Sequence, residues 1–279
     1  MLYLILAIFC SAMISVLMRL GSAGSKARKP LLAVNYLTCA LVSLCFLEGG
    51  PAPESGGWGI ALGLGAVGGV LYLGAFLLLQ HNVRQSGVTL SSAFMKLGVI
   101  VPTLMGVALF RERMTPFRGT GIALTLAAIV LLSGSRDSAR GQGGRLPALV
   151  LLMLCGGLAD GLSKVYQAWG DPRLEGHFLL FVFGFALLLC AALCAAQRQR
   201  PTARDWLFGA LLGVPNYFSS RFLLLALSQV PASAAYPIFS CGTLLLAALI
   251  GRAAFGERLG RRQLAAVAAV VAALVLLNV

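Results

Sequence analysis

The chain has 279 residues, of which 59% are hydrophobic and only 11% charged, with a mean hydropathy of +0.89. A soluble domain carries about a quarter of its residues as charge, so this composition excludes a soluble globular fold and points to a membrane protein. The formal net charge of +13 then reads as topology rather than nucleic-acid binding, because Lys and Arg gather in the cytoplasmic loops of polytopic proteins.

Runs of about 20 apolar residues suffice to cross the bilayer as helices, and the sequence holds ten: 2–20, 31–48, 58–80, 87–110, 115–134, 146–169, 175–196, 204–228, 232–252 and 259–278. The first has no basic residues before it and no small-residue cleavage site, so it reads as a retained helix. It ends at Arg19, placed to snorkel to the interface, before a basic loop that closes on Pro30. The second holds Asn35 and Tyr36, polar groups that need hydrogen-bond partners at bilayer depth. The third is glycine-dense, with Gly59-x-x-x-Gly63 and Gly65-x-x-x-Gly69. Such spacing allows backbones to approach closely, and packing within a monomer is preferred to a dimer seam.

The fourth span carries Lys96 and then Pro102. At about 1.5 Å per residue the lysine falls near the middle of the hydrocarbon, where it costs about 2.5–3.5 kcal/mol on insertion scales. Pro102 leaves a carbonyl one turn earlier without its donor. The sixth span adds Asp160 and Lys164, an i, i+4 pair with the acid first, the favourable order. The eighth brings Gly209-x-x-x-Gly213, Pro215, Asn216, Tyr217 and Arg221, and the ninth opens with Tyr236-Pro237.

An offset of 145 residues carries Gly106 onto Gly251, Ala108 onto Ala253, Phe110 onto Phe255, Glu112 onto Glu257 and Arg113 onto Arg258. Beyond this corner it carries Ala123 onto Ala268 and Ala127-Ala128 onto Ala272-Ala273. The same offset pairs Arg19 with Lys164. The expectation is therefore an all-α polytopic membrane protein of ten transmembrane helices in two repeats, 1–134 and 146–279, with a cytoplasmic linker at 135–145. Two repeats with five spans each must be inverted relative to one another, a transporter architecture.

Basic residues follow spans one (Lys26, Arg28, Lys29), three (Arg84), five (Arg136, Arg140, Arg145), seven (Arg198, Arg200, Arg204) and nine (Arg252, Arg258, Arg261, Arg262). The opposite side holds Arg111, Arg113, Arg118 and Arg173. Both termini are thus predicted to be non-cytoplasmic.

Ionisable residues at bilayer depth mark substrate or ion pathways unless they form structural salt bridges. Lys96, Lys164 and Arg221 are positive and only Asp160 negative, an excess that suits an anion or the carboxylate of a zwitterion. The structural alternative pairs Asp160 with Arg221 or Lys164. A neutral Lys96, or Asp160, acting as a proton carrier is a second possibility compatible with antiport. Tyr217 and Tyr236 are placed to wall a pocket, with Asn35 and Tyr36 as further substrate-binding candidates. The seven cysteines lie within apolar runs without C-x-x-C spacing, and His81 and His177 stand far apart, so no metal or cofactor is expected. No nucleophile sits with a base in a recognisable motif, so no enzymatic activity is expected.

The corner Phe110-Arg111-Glu112-Arg113, repeated as Phe255-Gly256-Glu257-Arg258 and followed each time by a Gly/Ala-rich apolar helix, resembles the EamA type of the drug/metabolite transporter superfamily. The resemblance covers the whole chain. It implies a bacterial inner-membrane carrier of small metabolites, working by alternating access around a cavity lined by helices one, three, four, six, eight and nine. Lys96, Asp160, Arg221 and Tyr236 would then fall on lining helices. This chain departs from the common family pattern in carrying its basic residues after spans one and seven rather than after span two and the last helix. The expected function is secondary active transport of a small anionic or zwitterionic, amino-acid-like metabolite by a monomer. The alternatives are an exporter of cationic or aromatic compounds, or a lipid-headgroup flippase.

Overall fold

The computed structural model describes residues 1–22, 29–47, 57–86, 88–112, 114–133 and 146–255, together with 265, 268, 269, 272, 273 and 276. The predicted linker 135–145, Glu257 and Arg258 of the second corner, the Arg19 side chain and most of the predicted tenth span lie outside the described residues. Every regular element among the described residues is helical. The helices are α1 (Leu2–Ser22), α2 (Lys29–Cys45), α3 (Gly57–Ser86), α4 (Val88–Leu97), α5 (Ile100–Ala108), α6 (Pro116–Ser133), α7 (Leu146–Trp169), α8 (Glu175–Ala196), α9 (Ala203–Leu227) and α10 (Ala232–Phe255). Gly57–Asn82, Leu146–Trp169, Pro172–Ala196 and Ala203–Leu227 are long and apolar enough to cross a bilayer.

Helix is what lipid imposes on such a sequence, because each backbone N–H and C=O must find its partner inside the segment. Several hydroxyls within the apolar runs follow the same logic and turn back onto their own helices, while Ser43 and Ser219 reach carbonyls of neighbouring helices, Gly176 at 3.1 Å and Ala7 at 3.2 Å. Thr38 donates to the Val34 carbonyl at 3.0 Å, Thr103 to Val99 at 2.7 Å and Ser220 to Asn216 at 3.2 Å.

The predicted fourth span is two helices rather than one. α4 ends at Leu97, Gly98 and Val99 form a turn, and α5 begins at Ile100. Pro102 explains the place of the break: its missing N–H would have served the Gly98 carbonyl, which accepts instead from the Val101 N–H at 2.9 Å.

The described chain forms two compact units. The first comprises Met1–Leu73 and Val165–Ala226, the second Gly74–Lys164 and Leu227–Val279. In the first unit, α2 packs along α8. Glycines set two further close approaches there. A Cβ on Gly69 of α3 would lie 2.6 Å from Phe185 Cβ on α8, and one on Gly213 of α9 would lie 2.8 Å from the Asn35 carbonyl on α2. These are the intrachain seams expected from the glycine spacing, whereas a Cβ on Gly59 or Gly63 would meet nothing within 4 Å among the described residues.

In the second unit, α10 packs on both α5 and α6, and α6 packs on α4. The α4–α5 break lies against α7, where a Cβ on Gly98 would meet the Met153 carbonyl at 2.8 Å and the Gly157 N–H at 3.1 Å. The break therefore brings α4 and α7 together at backbone distance.

Candidate substrate-binding site

The close packing of Gly98 on Gly157 determines what faces what. Lys96 lies two residues before the break on α4, and Asp160 three residues after Gly157 on α7, so a positive and a negative side chain share one neighbourhood. Each acts electrostatically on the other, and both retain intermediate exposure. A third element closes on the same turn of α7, where the Tyr236 hydroxyl of α10 donates to the Asp160 carbonyl at 2.7 Å. Tyr236 is itself buried, so this hydrogen bond joins α10 to α7 beside Asp160.

Lys164, one turn beyond Asp160, pairs with a different acid. Its ammonium lies 3.3 Å from Glu112 Oε1 and 5.3 Å from the centre of the Phe110 ring. The Glu112 carboxylate also accepts the Ala232 N–H at 2.9 Å and the Ser233 N–H at 2.8 Å. These amides open α10, so a carboxylate there satisfies orphan donors and complements the positive end of the helix. Burial alone would lift the Glu112 carboxyl, but the two backbone N–H groups and Lys164 outweigh it and hold the group below the usual carboxylate range.

The corner is built to deliver that carboxylate. Arg111 takes a left-handed backbone, φ 51°, which turns the chain back so that the Glu112 N–H reaches the Gly106 carbonyl at 3.1 Å. Gly106 leaves the necessary space, since a Cβ there would meet Glu112 Oε2 at 2.8 Å. Gly106, Phe110 and Glu112, which mark the repeat, thus acquire contacts of their own. In the sequence Glu112 stands out only as a repeat marker, and the signal that points further is an acid between apolar spans in a chain with few carboxylates.

The remaining candidates belong to the first unit. Arg221 of α9 donates to the Phe46 carbonyl at 3.2 Å and to the Tyr217 hydroxyl at 2.9 Å, with its guanidinium 5.1 Å from the Phe46 ring centre. Phe46 follows the last residue of α2, so Arg221 caps that helix C-terminus, where a cation is favoured. Asn216 Nδ2 approaches Asn35 Oδ1 at 3.4 Å, a long contact that joins α9 to α2. Tyr36 and Tyr217 are fully buried, the latter packed on Phe46 and Phe183. Within this unit, Arg221, Asn35 and Tyr217 therefore make contacts between helices or with the end of α2, and Tyr36 is buried.

A crystal structure matches the fold with a TM-score of 0.78 at 16% identity, covering 99% of this chain and 94% of the matched one. A relative from Haemophilus influenzae (strain ATCC 51907 / DSM 11121 / KW20 / Rd), described as an uncharacterized protein, is 24% identical over 273 residues, covering 92% of this chain and 91% of its own. The family model of EamA-like transporters matches twice, over residues 1–134 and 147–279. With both halves of the chain matched, this multi-pass membrane protein belongs to the EamA-like transporter family.

Proposed function

We propose that the chain is a secondary active transporter of a small anionic or zwitterionic, amino-acid-like metabolite, working by alternating access across the bacterial inner membrane. The observation that carries this reading is the meeting of Lys96 and Asp160 where α4 breaks against α7. A break exposes backbone polarity only where protein or water can satisfy it, and two opposite charges at that point offer one partner each to a zwitterion. Broken helices at a binding site recur in transporters built from inverted repeats.

Ten spans in two inverted five-helix repeats, with the linker 135–145 in the cytoplasm, complete the proposed architecture. Its support comes from which helices touch. The 145-residue offset makes α2 the equivalent of α8, and the α4–α5 span the equivalent of α10. A two-fold relation brings equivalent elements near its axis together, and α2 packs on α8 as α5 packs on α10. Protons are the proposed coupling ion, carried by Asp160 or Lys96.

The test is thermal stabilisation of the purified protein by a panel of amino acids, small organic acids and organic cations. An acidic or zwitterionic compound is expected to raise the melting temperature of the wild type. Lys96→Ala should weaken its binding by about tenfold or more, since a hydrogen bond to a charged group contributes about 1.5–3 kcal/mol. Unaltered binding in both Lys96→Ala and Asp160→Asn would reject the site. Stabilisation by cations alone, lost in Asp160→Asn, would replace this reading with the exporter of cationic compounds.

A further inference from the structure

The junction at Glu112 does more than complete a helix terminus. A side-chain cap needs only an oxygen at the right distance from the first amides, and a Ser or Thr one residue before α10 would provide it. Here the acceptor comes instead from a corner 120 residues earlier in the chain, it is ionised, and it holds the α7 lysine with the same carboxylate oxygen, Oε1, that accepts from Ala232. One carboxylate therefore ties three elements: the α5–α6 corner, α7 and the first turn of α10.

What those elements carry gives the tie its meaning. α7 bears Asp160 one turn from Lys164, and α10 bears Tyr236 one turn from Ser233, with its hydroxyl on the Asp160 carbonyl. Fixing the first turn of α10 to α7 thus fixes the height at which Tyr236 meets Asp160. The corner belongs to the first sequence half, and both helices it holds belong to the second. All three points of contact lie within the second compact unit, so any cycle that shifts its helices against one another has to act on this bond.

We propose that Glu112 is a positioning residue that works as a releasable latch, its charge holding α7 and α10 in register at the Asp160 turn until the change of access draws it away from Lys164. The proposal rests on the transporter reading above. The form of the contact suits release, because ions that retain partial exposure, 11% for each side chain, exchange a partner for water more readily than fully desolvated ones. The two α10 amides would then be free to take water.

The experiment is a double-mutant cycle on the full chain in lipid nanodiscs without ligand, read by hydrogen exchange of the segment 232–236 at pH 7. Glu112→Gln is expected to speed that exchange at least tenfold, with α8 unchanged. Lys164→Met should speed it at least threefold, and the double variant should exchange within twofold of Glu112→Gln, because both substitutions break one connected unit. A Lys164→Met protein that exchanges like the wild type would overturn the latch and leave Glu112 a plain helix cap. So would an unaltered segment in Glu112→Gln.

Transport is measured in parallel with liposomes containing the protein and a radiolabelled amino-acid mixture. Glu112→Gln is expected to change turnover per folded protein at least fivefold while KM stays within twofold. Equal turnover would overturn the positioning role even with altered exchange. Wild-type liposomes that move none of the mixture would instead reject the amino-acid reading, and the exchange cycle would then decide the latch by itself.

Discussion

Glu112 sits among few other charges and makes three polar contacts, so small changes around it should be measurable. Its carboxyl is held below the usual carboxylate range, so its native value lies under its unfolded one. Its stabilising contribution is therefore complete above the ordinary range and disappears as pH falls through the native value. We expect the acid limb of thermal stability to be shallower in Glu112→Gln than in the wild type, with the two curves parallel from neutral pH down to the ordinary carboxylate range. Curves parallel throughout would show that Glu112 carries no such linkage. Arg111 offers a second test, since a left-handed backbone costs a non-glycine residue about 1–2 kcal/mol and the repeat puts Gly256 at the equivalent position. Arg111→Gly should raise the melting temperature, and Arg111→Val should lower it. Lys96 and Asp160 were legible in the sequence because each is an ion inside an apolar run. The Glu112–Lys164 pair was not, because the two residues are distant in sequence and the i, i+4 spacing gave Lys164 a closer acid in Asp160.

The helices show the same division between what is local and what is not. Pro102 announced a disturbance in the fourth span, and the break fell one turn upstream, where a missing N–H is felt. At that break Gly98 also packs on Gly157 of α7, a contact that no local pattern in α4 contains. The paired glycines of α3 look alike in sequence, yet Gly65 and Gly69 lie on α8 while a Cβ on Gly59 or Gly63 would meet nothing within 4 Å among the described residues. Substitution should separate them. Gly69→Leu places a side chain where Phe185 Cβ and the Ala186 N–H already stand, at 2.6 and 2.8 Å from a Cβ, and overpacking of this kind costs about 1–3 kcal/mol or more. Gly63→Leu meets open space and should leave the melting temperature unchanged to within a degree or two. Equal losses in the two variants would mean that Gly63 also lies in a seam, formed by a second copy of the chain, and size-exclusion chromatography would then show the dimer.

Over the whole molecule, fold class and duplication were the most legible features, because bilayer thickness sets span length and a shared corner sets the offset. The compact units were not legible. Each draws helices from both sequence halves, because helices far apart in the chain pack together, as α2 does on α8 and α5 on α10. Orientation in the membrane is a separate property, decided during insertion by Lys and Arg in short loops. Fourteen such residues follow the odd-numbered spans named above, against four on the other side. We therefore expect a fluorescent reporter that matures only in the cytosol to stay dark when fused after Val279 and to light when inserted within 135–145. A bright C-terminal fusion would reverse the assignment. Because the linker is short and holds Arg136, Arg140 and Arg145, neutralising these three should weaken the bias without abolishing it. A detectable minority of inverted molecules is the expected result. If instead the population stays uniform, the basic loops after spans one, seven and nine hold the orientation, and the same reporter in a chain lacking those charges would identify which loop dominates.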